Sequence, residues 1–190
     1  NGRRLAWAAA LTGIFLIVEV VGGILSGSLA LLADAGHMFT DFAALLLAWS
    51  ALRVAARPAS RKWTYGFDRV AILAAFVNGL ALFVIAAIIV YEAVLRLMSP
   101  PEILGGLMLG VAIAGLLVNL VAFLILHGGD RKSLNMRGAT LHVMGDLFGS
   151  VAAIVAAGII LATGWMPIDP LLSILVAVLI LRSAAMLVRE

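Results

Sequence analysis

Residues 103–126 read ILGGLMLGVAIAGLLVNLVAFLIL and contain no charged side chain. A helix needs about 20 consecutive apolar residues to cross the hydrocarbon core of a bilayer, and this stretch exceeds that length. Across the chain 64% of the residues are hydrophobic and 12% are charged. The mean hydropathy of +1.18 lies far outside the range of soluble globular domains. The sequence therefore predicts a multi-pass integral membrane protein.

Five further segments are long and apolar enough to span a bilayer. Together with the first stretch they predict six transmembrane helices, over residues 5–25, 29–54, 68–97, 103–126, 135–163 and 167–188. The connections between them are short, and none could form a domain of its own. The predicted fold class is therefore an all-α membrane protein, with residues 1–190 forming one transmembrane domain.

The basic residues predict the orientation of these spans. Arg96 alone falls on one side of the six-span zigzag. The other side carries Arg3, Arg4, Arg53, Arg57, Arg61, Lys62, Arg69, Arg131, Lys132, Arg137, Arg182 and Arg189. By the positive-inside rule both termini then lie in the cytoplasm.

Composition also excludes several classes of function. The formal charge of +3 is not arranged as a basic stripe with interleaved aromatic residues, so we expect no nucleic-acid partner. The chain has no cysteine, so any metal site must use imidazole, carboxylate, amide or thioether groups. Neither a Gly-rich phosphate loop nor an HExxH motif occurs, which argues against nucleotide hydrolysis, an intramembrane metalloenzyme and an organic cofactor.

Two histidines carry an aspartate four residues later, within predicted spans 2 and 5: His37 with Asp41, and His142 with Asp146. Residues four apart share one face of a helix, with a rise of about 6 Å. Spans 2 and 5 run in opposite directions, so if they lie side by side His37 falls level with Asp146 and Asp41 level with His142. Each half of the chain contains three predicted spans, and the span with the His–Asp pair is the middle one in both halves. This arrangement would give an inverted three-plus-three repeat.

The four side chains form a candidate metal site near the middle of the membrane. An ionisable group there costs about 2.5–3.5 kcal/mol by insertion scales, so four without a function would be a heavy burden. Two imidazoles and two carboxylates suit tetrahedral Zn²⁺, whereas Mg²⁺ and Ca²⁺ prefer oxygen ligands alone. The alternative is that the two pairs are hydrogen bonds that hold helices together.

Three further polar residues lie within the predicted spans. Asp34, three residues before His37, is a candidate for an exit-path carboxylate or a spare ligand, or is a hydrogen-bonding residue. Glu19 in span 1 would handle protons or pair structurally. Asn119 in span 4 would bond between helices or line the cavity.

Small residues recur every four positions on two spans, which would permit close helix contact. They are Gly106, Gly110 and Ala114 on span 4, and Gly145, Gly149, Ala153 and Ala157 on span 5. The alternative is that Gly and Ala are simply common in membrane helices.

Four stretches resemble the cation diffusion facilitator family, and specifically its bacterial zinc-exporting branch. They are SLALLADAGHMFTDFAALLLA (28–48), YGFDRVAILAAFVNGLALF (65–83), LNMRGATLHVMGDLFGSVAAIVAAGII (134–160) and GWMPIDPLLSILVAVLILRSA (164–184). The resemblance implies that His37, Asp41, His142 and Asp146 form the transport site. It also implies metal–proton antiport, a homodimer and a location in the bacterial inner membrane. The family's cytoplasmic C-terminal domain would begin about where this chain ends, so we expect it to be absent from this chain.

The leading hypothesis is a secondary active transporter, not an enzyme. It would export Zn²⁺ from the cytoplasm, with some tolerance for Cd²⁺, in exchange for protons by alternating access. Its partners would be the divalent ion and protons as substrates, together with membrane lipid. The alternative is a membrane metal sensor or scaffold that binds metal without moving it.

Overall fold

The structure is a computed structural model that describes residues 2–40, 42, 68–127 and 134–189, with side chains at 7–40, 42, 76–77, 79–127 and 143–182. The described residues form six helices, which we number in chain order. They are α1 (Gly2–Ser26), α2 (29–40), α3 (Asp68–Met98), α4 (Gly105–His127), α5 (Leu134–Thr163) and α6 (Ile168–Arg189). This part of the chain contains no strand, so the predicted all-α class is confirmed.

Four helices contain an apolar run long enough to cross a bilayer. The runs are Trp7–Ser26, Gly79–Met98, Gly105–His127 and Val143–Thr163. They confirm the spans predicted over 5–25, 68–97, 103–126 and 135–163. The spans predicted over 29–54 and 167–188 extend past the described side chains and stay predictions, as do the cytoplasmic termini and the inverted repeat.

Large apolar side chains cover the outside of the helix bundle. They include Ile14, Ile17, Phe76, Ile88, Tyr91, Leu117, Leu124 and Phe148, each more than half exposed. In water so much exposed apolar surface would mark an interaction site or an aggregation hazard, whereas in a bilayer it faces lipid of the same character. The chain is therefore an integral membrane protein.

The helices pack as two groups with α2 between them. In the first group α4 packs on both α1 and α5, and in the second α3 packs on α6. A smaller contact between α5 and α6 joins the two groups directly. Ala33 of α2 belongs to the buried cluster that joins α3 and α6. Leu31 and Met38 of the same helix belong to the cluster that joins α1, α4 and α5. The helix that carries the first predicted His–Asp pair thus contacts both groups.

Small residues bring some helices close together. Gly22 of α1 faces Val111 of α4 so closely that an added Cβ would lie 2.5 Å from Val111 Cγ2. Gly115 of α4 in turn accommodates the ring of Phe15, whose Cζ would lie 2.9 Å from an added Cβ. Lipid gives membrane helices little hydrophobic reason to associate, so close van der Waals contact of this kind stabilises the bundle.

The predicted small-residue stripes hold only in part. Ala153 and Ala157 are buried in the cluster between α1, α4 and α5, as close packing requires. An added Cβ at Gly106, Gly110 or Gly145 would meet nothing within 4 Å among the described residues, so close helix contact is wrong at these three positions. Those glycines lie on exposed helix faces, where no other described helix packs closely against them.

The link between α1 and α2 is held by the ends of other helices. Gly27 adopts a positive φ of 73°, which favours glycine. Its carbonyl accepts a hydrogen bond from the Arg96 guanidinium of α3. The carbonyl of Ser26 accepts a bond of 2.9 Å from the N–H of Leu104, just before α4. One end of the bundle therefore joins the end of α1, the starts of α2 and α4, and the last turn of α3.

Gly22→Ala is expected to lower the free energy of unfolding by about 1–3 kcal/mol, the usual cost of overpacking. The β-branched side chain of Val111 has little freedom to turn away from the added methyl group. The matched control is Gly110→Ala in α4, where the added Cβ meets nothing within 4 Å and alanine favours the helix by about 0.5–1 kcal/mol. Denaturant unfolding of both variants in one detergent is the measurement. Equal effects would contradict the close contact between α1 and α4.

Candidate metal centre

A cavity of about 510 Å³ lies between α2, α5 and α6. Its ionisable lining residues are Asp34 and His37 from α2 and Asp146 from α5. Among the described residues α6 contributes an aliphatic wall to it, made of Leu172, Leu175, Val176, Leu179 and Ile180. The cavity thus has side chains able to bind metal on two sides, from α2 and α5, and apolar side chains on the third, from α6.

A contact between Asp34 and Gly149 sets the relative height of α2 and α5. An added Cβ at Gly149 would lie 3.4 Å from Asp34 Oδ1 and 3.6 Å from Oδ2. The absence of a side chain at Gly149 therefore lets the Asp34 carboxylate lie close to the α5 backbone. The sequence signal for this role is weak, because Gly149 is one member of a stripe whose other glycine, Gly145, has no close neighbour.

The two helices run in opposite directions. α2 begins at the end of the bundle where the side chain of Asp169, the second residue of α6, bonds to Ser28. α5 ends at Thr163, only a few residues before α6, and so also at that end. Starting from the Asp34–Gly149 contact, three residues onward along α2 lead to His37 and three residues back along α5 lead to Asp146. His37 and Asp146 both lie in the cavity wall. This agrees with the prediction that they stand at the same height along the two helices.

Asp146 is almost fully buried, with 3% of its surface area exposed. A carboxylate buried to this degree is costly unless a hydrogen bond, a counter-charge or a cation compensates it. His37 is half-buried beside it in the cavity wall. Imidazole nitrogen and carboxylate oxygen are both Zn²⁺ ligands, at about 2.0–2.2 Å.

Glu19 of α1 brings a third carboxyl group to this region. Its side chain is 3% exposed and lies close enough to Asp34 and Asp146 to interact electrostatically with both carboxyl groups. Two carboxyl groups close together away from water favour a proton on one of them, because like charges repel. Glu19 and Asp34, which the sequence could place only on separate spans, thus form a pair able to hold a proton beside the cavity.

The other two predicted ligands are not described. Asp41 lies outside the described residues, and His142 lies in α5 at a position whose side chain is not described. Among the side chains that are described, no group of three or more His, Asp or Glu residues is placed to hold a metal ion. The ligand set His37, Asp41, His142 and Asp146 therefore stays a prediction.

Asn119 of α4 lies away from the cavity. It is 1% exposed, and its amide Nδ2 donates to Ser150 Oγ of α5 at 3.3 Å. A polar bond of this kind links two helices where no water is present to replace it.

Comparison with known proteins agrees with these features. The family described as the cation efflux transmembrane domain matches residues 5–190. The chain belongs to the cation efflux family. These proteins are also called cation diffusion facilitators, so the resemblance drawn from the motifs is confirmed.

Several curated members of the cation efflux family are similar to the chain. Zinc transporter ZitB of Escherichia coli K12 is 56% identical over 100% of the chain and 61% of that protein. Metal cation efflux system protein CzcD of Cupriavidus metallidurans is 48% identical over 100% of the chain and 60% of that protein. A cadmium, cobalt and zinc/H⁺–K⁺ antiporter of Bacillus velezensis is 49% identical over 89% of the chain and 55% of that protein. The chain thus spans less than two thirds of the length of these relatives, and the family is one of transporters.

Asp146→Asn is expected to weaken Zn²⁺ binding by more than about 100-fold, because loss of a partner that merely orients a ligand already costs about 10–100-fold. Asparagine keeps the size of the side chain, so the bundle should remain folded. Glu102→Gln is the matched control, since Glu102 is an exposed carboxylate outside the cavity. Calorimetry in nanodiscs gives both affinities, and an unchanged value for Asp146→Asn would remove Asp146 from the ligand set.

Proposed function

We propose that the chain is the transmembrane domain of a secondary active transporter that exports Zn²⁺, and tolerates Cd²⁺, in exchange for protons. The observation that carries the proposal is the cavity in which His37 of α2 and Asp146 of α5 line one space. These groups are costly to keep in an otherwise apolar bundle unless they bind something. The names of the relatives, which are zinc and metal transporters, support the same substrate class.

The proposed site is completed by Asp41 and His142. The register set by Asp34 and Gly149, followed one turn beyond His37 along α2 and one turn back from Asp146 along α5, leads to these two positions. Residues four apart lie on one helix face, so the second pair would stand one turn deeper than the first. Two imidazoles and two carboxylates would then surround a tetrahedral ion.

Protons compete with the metal for the same atoms. Zn²⁺ binds neutral imidazole and ionised carboxylate, so its binding releases any protons that those groups carried. The closeness of the Glu19 and Asp34 carboxyl groups supports a proton-handling role for that pair at the cavity edge. Asp34 lies one turn from His37 toward the end of the bundle where α2 begins, which we propose is the exit side. Asn119 bonds to Ser150, and in this proposal it holds α4 and α5 together.

The same proposal places the protein in the bacterial inner membrane, which the bacterial origin of the relatives supports. The homodimer that the family resemblance implies stays a prediction.

Proteoliposomes containing the chain test transport directly. Zn²⁺ is expected to move against its own gradient when protons flow the other way, and a protonophore should stop this movement. Asp146→Asn liposomes serve as the control for leakage. Binding without flux would favour a metal sensor or scaffold, and flux that ignores both pH and protonophore would reduce the chain to a passive facilitator.

Zn²⁺ affinity is expected to weaken as pH falls from about 7.5 to about 5.5, because imidazole titrates near pH 6.5 in the absence of other effects. The sign follows from competition: protonated imidazole cannot bind metal. Calorimetry across this range, with recovery of affinity on return to the higher pH, excludes acid unfolding as the cause. Constant affinity would mean that no histidine binds the ion.

A further inference from the structure

The first turn of α2 is capped by a residue of another helix. The carboxylate of Asp169 in α6 accepts the N–H of Leu29 at 2.7 Å and that of Ala30 at 3.2 Å. These are two of the amide groups that a helix leaves without an internal partner at its start. Usually a side chain just before the helix fills this role, whereas here it comes from a position 140 residues further along the chain.

Ser28 completes this cap and connects it to Asp169. Its hydroxyl oxygen accepts the N–H of Leu31 at 3.2 Å, as an ordinary N-cap serine does. The same hydroxyl donates to Asp169 Oδ1 at 2.5 Å. The first three amides of α2 are therefore satisfied by two side chains that are also bonded to each other. Ser28 and Asp169 are both fully buried.

The carboxylate suits this position electrostatically. Hydrogen bonds from backbone N–H groups and a hydroxyl to a charged oxygen are among the stronger kinds. The partial positive charge at the start of α2 favours the negative charge of Asp169. With no water to replace them, these bonds fix the start of α2 against the start of α6.

The same two helices form two of the three cavity walls. Leu172, one turn beyond Asp169, lines the cavity from α6, and His37 lines it from α2 about 12 Å along the helix from Leu29. Between these points α2 contacts α3 and α6 through the small side chain of Ala33, while its Leu31 and Met38 pack against α1, α4 and α5. Against α6 the height of His37 in the cavity is therefore set mainly by the bonds at the start of α2.

We infer that Asp169 is a positioning residue for the transport site: its bonds to Ser28, Leu29 and Ala30 fix the axial register of α2 and so the level of His37 opposite Asp146. The inference rests on the proposed function. It differs from a purely structural cap, which would stabilise the fold and leave metal affinity unchanged.

The test compares Asp169→Ala with Ser173→Ala. Ser173 is buried one turn further along α6, and its hydroxyl donates to the Asp169 carbonyl at 2.8 Å, so its loss weakens the same region without releasing α2. Zn²⁺ affinity in nanodiscs is measured for each variant at a temperature where circular dichroism shows it folded. Asp169→Ala should weaken binding by about 10–100-fold, as loss of a group that orients a ligand does, while Ser173→Ala should stay within about threefold of the unmodified chain.

A disulfide between two introduced cysteines tests whether tying α2 to α6 again restores Zn²⁺ affinity. The chain contains no cysteine, so in the double variant Ser28→Cys with Asp169→Cys only the introduced thiols react. With the disulfide formed, α2 is again tied to α6 and affinity should return toward that of the unmodified chain; reduction of the same sample should weaken it by at least about tenfold. This comparison also serves if Asp169→Ala alone does not fold.

Equal affinities for Asp169→Ala and the unmodified chain, or for the oxidised and reduced pair, would overturn the inference. A pair that neither oxidises nor is bridged by a short bifunctional thiol reagent would contradict the contact on which the inference rests. If the unmodified chain itself binds no Zn²⁺, the proposed function fails instead, so the two failures are distinguishable.

Discussion

The hydrocarbon core of a bilayer offers no water, so every polar atom at that depth must be satisfied by the protein or by a bound species. Helices solve this for most of the backbone. The side-chain bond between Asn119 and Ser150 solves it for part of the interface between α4 and α5. Around the cavity the same constraint is met differently, because three carboxyl groups lie close together there. They belong to Asp34, Asp146 and Glu19. Such a group of acids is balanced by protons or by a cation, and exchange of one for the other is the chemistry that antiport requires.

The spans could be predicted from sequence because span length is a local property. The four confirmed spans differ from the observed helices by three residues or fewer at each end. Contacts between helices could not be predicted in the same way. Gly22 and Gly110 are the same residue in similar apolar surroundings, yet Gly22 faces Val111 and Gly110 faces no other side chain that the structure describes. The difference depends on how each helix is rotated in the bundle, and a helix that is apolar on all sides gives no pattern from which to read that rotation.

Two of the residues that line the cavity could be predicted, because their spacing carries a signal. The interval of four residues within each His–Asp pair is enough to make His37 and Asp146 candidate partners, and both line the cavity. Asp169 gives no such signal. An aspartate in the first turn of a helix is common, since it favours its own helix dipole, and nothing in IDP suggests that its partners are the amides of α2. Long-range hydrogen bonds between a side chain and the backbone leave little trace in one sequence, because the backbone partner has no residue identity of its own.

The placement of α2 and α5 on two sides of one cavity has a mechanical consequence. When one helix slides past its neighbour by a single residue, each side chain on it moves about 1.5 Å relative to the side chains on the other. Metal–ligand distances are held to within about 0.2 Å. If the proposed site holds an ion between the two helices, a movement much smaller than an opening wide enough for the ion to pass would be enough to release it. In such an arrangement loss of grip precedes opening of the path, so the ion is already mobile when the path to one side of the membrane opens.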